Sequence, residues 1–149
     1  MTTSGAESAF TSNLVLALLI LSFCVIFHAS VLFGMAKLIF TDLVVELRHK
    51  SAALSLVIFS SLCLCVILLN GVEIAIWAFL YHNYGSVESI VGAFIHSMGA
   101  FTTYGNSRYL SDEEWDLITH IEAMNGLVAF GLTTAFLYSA SGRLHELAK

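Results

Sequence analysis

Read from its N-terminus, the chain alternates long apolar runs with short polar interruptions. Leu14 to Phe40 is apolar apart from Ser22, His28, Ser30 and Lys37 near its end. Ala52 to Tyr81 is broken by serines, Asn70 and Glu73, and Ile118 to Ala140 carries His120, Glu122 and Asn125 near its start before running apolar. A helix needs about 20 apolar residues to cross the hydrocarbon core of a bilayer, and each run exceeds that. The pattern predicts three transmembrane helices, the second long enough to tilt or to project beyond the membrane. Strand alternation is absent, which argues against an outer-membrane barrel. Between the second and third runs, Val87–Phe101 has about the length of a half-helix and is too short and too polar to cross. Gly85-Ser86 closes the second run and offers that helix a start, with Glu88 in its first turn.

Thr102–Arg108, which follows, is polar and lies between two spans. Non-helical backbone at membrane depth is tolerated only where it lines a water-filled cavity or is buried in protein. The C-terminal end of the half-helix points its negative dipole end at this loop, which favours a cation there. The predicted architecture is an all-α membrane protein with a re-entrant helix and loop between its second and third transmembrane helices.

Composition sharpens this picture. With 58% apolar and only 11% charged residues, the chain reads as an integral membrane protein rather than a soluble domain. It contains no proline, so no helix need be kinked by one. The net charge of −5, without a basic patch, excludes a nucleic-acid partner. Of the six basic residues, Lys37, Arg48 and Lys50 flank the first link, Arg143 and Lys149 follow the third span, and Arg108 alone falls opposite. The positive-inside rule then puts the Thr41–Lys50 link and the C-terminus in the cytoplasm, with the N-terminus and the loop external. The first ten residues carry no Lys or Arg and no small-residue cleavage site follows, so the first span reads as a retained helix. Thr41–Lys50 itself reads as a short interfacial helix or an extension of the first span.

From Val72 onward the chain resembles small bacterial members of the two-transmembrane potassium-channel family. The blocks that carry the resemblance are Glu73, Trp77 and Ala78 in the outer helix, and Phe101, Thr102 and Thr103 before the loop. The inner helix adds Glu122, Ala123, Met124, Asn125 and Gly126, then Gly131, Thr134, Ala135, Phe136 and Leu137. The resemblance implies a division into residues 1–50, an added N-terminal transmembrane helix with its cytoplasmic link, and residues 51–149, a pore domain. It also implies a homotetramer in a bacterial inner membrane, with a selectivity filter at Thr102, Thr103, Tyr104, Gly105, Asn106 and Ser107 and monovalent cations as the permeant partners.

The filter is where the match breaks. The family pattern reads Thr-Val-Gly-Tyr-Gly followed by an acid, whereas this chain has Asn106 for the Tyr, Ser107 for the second Gly and Arg108 for the acid. Ser107 makes a left-handed backbone costly, and Arg108 sets a ring of cations at the external mouth. The implied function is a weakly selective or non-selective cation channel. The alternative is a non-conducting, channel-like structural or regulatory membrane protein.

Ionisable groups inside spans are functional candidates because they are costly there. Glu73 is expected to support the loop by bonding the half-helix backbone or Arg108, and Glu122 to sit near the start of the third span, where a carboxylate suits the helix dipole. His28 reads as an interhelical partner and His96 as a packed imidazole or a pH sensor. Gly126 is placed where an inner helix could bend, and Phe136 or Leu137 where apolar side chains could close a gate. Cys24, Cys63 and Cys65 fall in apolar runs and read as buried, reduced hydrophobes. A membrane enzyme or transporter subunit lacks support: there is no metal-spaced cluster, no nucleophile motif and no phosphate-binding loop. The expectation is no enzyme activity, no cofactor and no metal.

Overall fold

The computed structural model describes residues 3–39, 52–84, 87–105 and 113–146. The Thr41–Lys50 link and positions Asn106, Ser107 and Arg108 lie outside the described residues. Within them the chain forms four helices and no strand: α1 (Thr3–Ile39), α2 (Ala52–Asn83), α3 (Ile90–Phe101) and α4 (Glu113–Glu146). Three carry spans long and apolar enough to cross a membrane: Phe10–Leu38, Ala53–Asn83 and Trp115–Leu144, of 29, 31 and 30 residues. At about 1.5 Å of rise per residue each is longer than a bilayer core of about 30 Å, so tilt is expected.

The helices run past the apolar segments that predict them, because extending a nucleated helix costs little even through polar residues. Thus α1 begins at Thr3, before Leu14, and α4 begins at Glu113, before Ile118. Hydroxyls in the spans return to their own helix four residues back. Ser22 donates to the Leu18 carbonyl, Ser30 to Ile26 and Ser61 to Val57, at 2.8, 2.7 and 2.9 Å. Such bonds let a polar side chain sit in hydrocarbon without an unmet donor.

The chain divides into two compact units, and each draws on α1, α2 and α4. The first unit, residues 1–25 with 71–128, contains all of α3. Its core joins Ala17 and Cys24 of α1, Trp77, Ala78 and Tyr81 of α2, and Trp115, Ile118 and Ile121 of α4. The second unit, residues 26–70 with 129–149, packs Phe27, Val31 and Met35 with Leu32, Val66, Leu69 and Phe136. There His28 meets Thr133 at 3.1 Å, both buried, which bears out the reading of His28 as an interhelical partner. Cys24 is buried as expected, but Cys63 is half-buried and Cys65 exposed. An apolar helix face turned to lipid accommodates a thiol as readily as a core does.

The helix α3 inverts the amphipathicity of a soluble protein. Ile90, Val91, Phe94, Ile95 and Met98 are exposed, while Gly92, Ala93, His96, Ser97, Gly99 and Ala100 are buried. Small and polar residues let neighbouring helices approach closely where the surroundings are as apolar as a leucine side chain.

Candidate functional site

The helix α3 starts later than the sequence implies. Ser89 caps it from an extended conformation (φ −90°, ψ 126°), its hydroxyl accepting from the Gly92 N–H at 3.3 Å. Glu88 therefore precedes the cap instead of occupying the first turn. His82 Nδ1–H donates to the Val87 carbonyl at 3.3 Å, tying the end of α2 to the approach of α3.

At the other end α3 stops at Phe101 and the chain turns back on itself. Thr102 caps the helix with its N–H on the Met98 carbonyl, and the Thr103 N–H bonds Ala100 at 2.9 Å. Gly105 N–H then reaches the Gly99 carbonyl at 3.0 Å. These bonds consume the last helical carbonyls, as helix-ending turns with one left-handed residue do. The left-handed position is Thr103, at φ 57°, with Gly105 at φ 74°. Glycine normally takes such a position. A β-branched residue there is strained by about 1–2 kcal/mol. Among the described residues Thr103 is the single non-glycine with positive φ. Thr102, Thr103, Tyr104 and Gly105 are all exposed, Tyr104 to 88%. The result is a strained polar turn at the negative end of a helix dipole.

Behind the turn lies a buried polar cluster, with α3 between α2 and α4. Glu73, Ser97, Glu122, Asn125 and His96 are each at most 1% exposed. Asn125 Nδ2 donates to Glu73 Oε2 at 3.3 Å. Ser97 Oγ contacts the Ile74 carbonyl at 2.8 Å and also, over a short hydrogen bond, Glu122 Oε1. Glu122 stands well inside α4, beyond the reach of the helix N-terminus, so its partner is Ser97 and the dipole reading does not apply. The sequence expectation for Glu73 names the half-helix backbone or Arg108 as its partner, and Arg108 lies outside the described residues. Asn125 is one partner of Glu73, and Ser97 bonds a backbone group on α2.

A second set of contacts clamps the middle of α3. His96 Nε2 meets Thr119 Oγ1 at 3.1 Å, and the Thr119 hydroxyl spends its proton on the Trp115 carbonyl at 2.8 Å. Nε2 is thereby the donor. The Tyr81 ring stands edge-on to His96, centroids 4.7 Å apart, and to Trp115 at 6.0 Å. His96 is a packed imidazole.

Gly126 does not interrupt α4. A Cβ there would overlap the Phe101 carbonyl oxygen and lie 2.8 Å from the carbonyl carbon, so this glycine is the notch that admits the end of α3. Phe136 is half-buried against the Leu32, Val66 and Leu69 cluster, and Leu137 is also half-buried. Thr134 and Ser139 bond their own helix, on Phe130 and Ala135.

Sequence reasoning had flagged Glu73 and Glu122 but not Ser97, Tyr81 or Thr119. The signal for Ser97 was its place on the small-residue face with Ala93 and Ala100. Among the described residues no group of three or more His, Cys, Asp or Glu side chains could hold a metal. Compared with protein-family profiles, curated proteins and solved structures, the chain matches none.

Proposed function

We propose that the chain is a pore-loop cation channel of weak or absent selectivity, assembled as a homotetramer around the Thr102–Ser107 loop. The observation that carries this reading is the strained, exposed turn at the C-terminal end of α3. Exposed non-helical backbone between two membrane-spanning helices needs water or protein around it, and copies of the chain arranged about an axis supply both. The exposed apolar face of α3 supports the same arrangement, since it would be covered by neighbouring copies or by lipid. Left-handed backbone at Thr103 and Gly105 is held from below by bonds to the helix, which leaves carbonyls of the turn to replace the hydration shell of an ion. The helix dipole adds roughly half a negative charge at the same point.

The reading places the N-terminus and the loop outside a bacterial inner membrane, with the C-terminus in the cytoplasm. It places α4 innermost, with a hydrophobic gate near Phe136 or Leu137. Weak selectivity follows from Asn106, Ser107 and Arg108, which depart from an ordered run of carbonyl sites. Those same residues favour the competing reading, a channel-like membrane protein that does not conduct.

Single-channel recording of the purified protein in bilayers tests both. The expected result is potassium and sodium currents of comparable size with little chloride current. An assembled tetramer that passes none of the three ions would decide for the non-conducting reading, and a monomer or dimer in native-like membranes would remove the pore altogether.

A further inference from the structure

Ser97 presents a problem of proton supply. Its Oγ lies 2.8 Å from the Ile74 carbonyl oxygen and closer still to Glu122 Oε1. At such distances each pair of oxygens needs a proton between them, because two lone pairs facing each other repel. Serine brings one proton, and a carbonyl brings none. The second proton has to come from Glu122.

Glu122 Oε2 is buried, and its neighbour from α2 is the equally buried Tyr81 hydroxyl. Among the described residues the groups facing Glu122 are Ser97 of α3, Tyr81 of α2 and the Cys24 thiol of α1, none of them a cation.

We propose that Glu122 is a proton-binding site: it keeps a proton on Oε1 and donates a hydrogen bond through it to Ser97 Oγ, whose own hydroxyl donates a hydrogen bond to the Ile74 carbonyl. The bound proton then acts as the pin that fastens α3 to α2 and α4 at once, with Glu122 and Ser97 as positioning residues for the turn that α3 carries. This assignment holds whether or not the turn conducts.

Infrared difference spectroscopy of the full chain in lipid nanodiscs tests it. The wild-type protein should show the C=O stretch of a buried protonated carboxylic acid, and E122Q should lose that band while E73Q keeps it. S97A should retain the band but shift it, because the acid O–H has lost its acceptor. In parallel, E122Q should assemble and melt close to the wild type, since an amide N–H can donate to Ser97 as the acid does, whereas E122A should lower the melting midpoint. A band that disappears in E73Q instead of E122Q would overturn the assignment. So would a band unmoved by S97A, or an E122Q protein as destabilised as E122A.

Discussion

The carbonyl of Phe101 occupies the space where a side chain at position 126 would begin. The last residue of α3 and a residue in the middle of α4 are therefore matched at the level of backbone against backbone. Gly126→Ala should force the two helices apart or displace the turn, at a cost of about 1–3 kcal/mol for an overpacked contact. Gly131→Ala is the control, because nothing lies within 4 Å of a Cβ there. As a mid-helix glycine, position 131 should gain up to about 1 kcal/mol. Reversible unfolding of the two variants in mixed micelles would compare them. Equal effects would show that Gly126 is a flexible point in the helix and not a notch.

Thr103→Gly removes the left-handed strain at the turn. The relief of about 1–2 kcal/mol is partly offset by about 0.5–1 kcal/mol of added chain entropy, so a net gain of about 0.5–1 kcal/mol is expected. The same unfolding assay measures it. A variant less stable than the wild type would mean that Thr103 makes contacts worth more than its strain.

Asn125→Ala deletes a donor to a buried carboxylate and should cost roughly 1–3 kcal/mol. In a double-mutant cycle with Glu73→Gln, the two changes should be non-additive by at least about 0.5 kcal/mol. Strict additivity would mean that the pair does not interact in the membrane.

Phe136 packs on Leu32, Val66 and Leu69, so Phe136→Ala should leave a cavity. Water-to-lipid transfer contributes nothing between helices already in hydrocarbon, which leaves a packing loss of roughly 1–2 kcal/mol. Ion flux separates packing from gating. Leu137→Ala should raise basal flux without loss of stability if that side chain closes the pathway. Unchanged flux in both variants would put the gate elsewhere.

Replacing Asn106-Ser107-Arg108 by Tyr-Gly-Asp should raise potassium selectivity or restore conductance, because it restores backbone freedom and reverses the charge at the mouth. Reversal potentials under mixed potassium and sodium would report it. Unchanged permeability in an assembled tetramer would mean that these positions do not line the path.

The spans were legible because hydropathy over about 20 residues leaves few alternatives. Their ends were not, since Thr3–Asn13 and the flanks of α4 are helical without being apolar. The start of α3 was misread for a local reason: both Ser86 and Ser89 can cap a helix, and only the bond to Gly92 distinguishes them. The site was half legible. Glu73 and Glu122 stand out in any apolar run, but a serine looks the same in sequence whether it bonds its own helix, as Ser22, Ser30 and Ser61 do, or crosses to others, as Ser97 does. Which glycine is a notch and which a hinge is likewise decided by the neighbouring backbone, which one chain's sequence does not display.

Apolar helices surrounded by lipid can slide or roll past one another at little cost, because one methylene contact replaces another. The bond between His28 and Thr133 removes that freedom from α1 and α4. Moving α1 by a single residue would turn His28 through about 100° and shift it by about 1.5 Å, so the imidazole would lose the hydroxyl and face hydrocarbon. The first helix therefore has one vertical position and one rotation relative to its partner. Any displacement that crosses this point has to break the bond outright, which makes the movement of α1 a step rather than a drift.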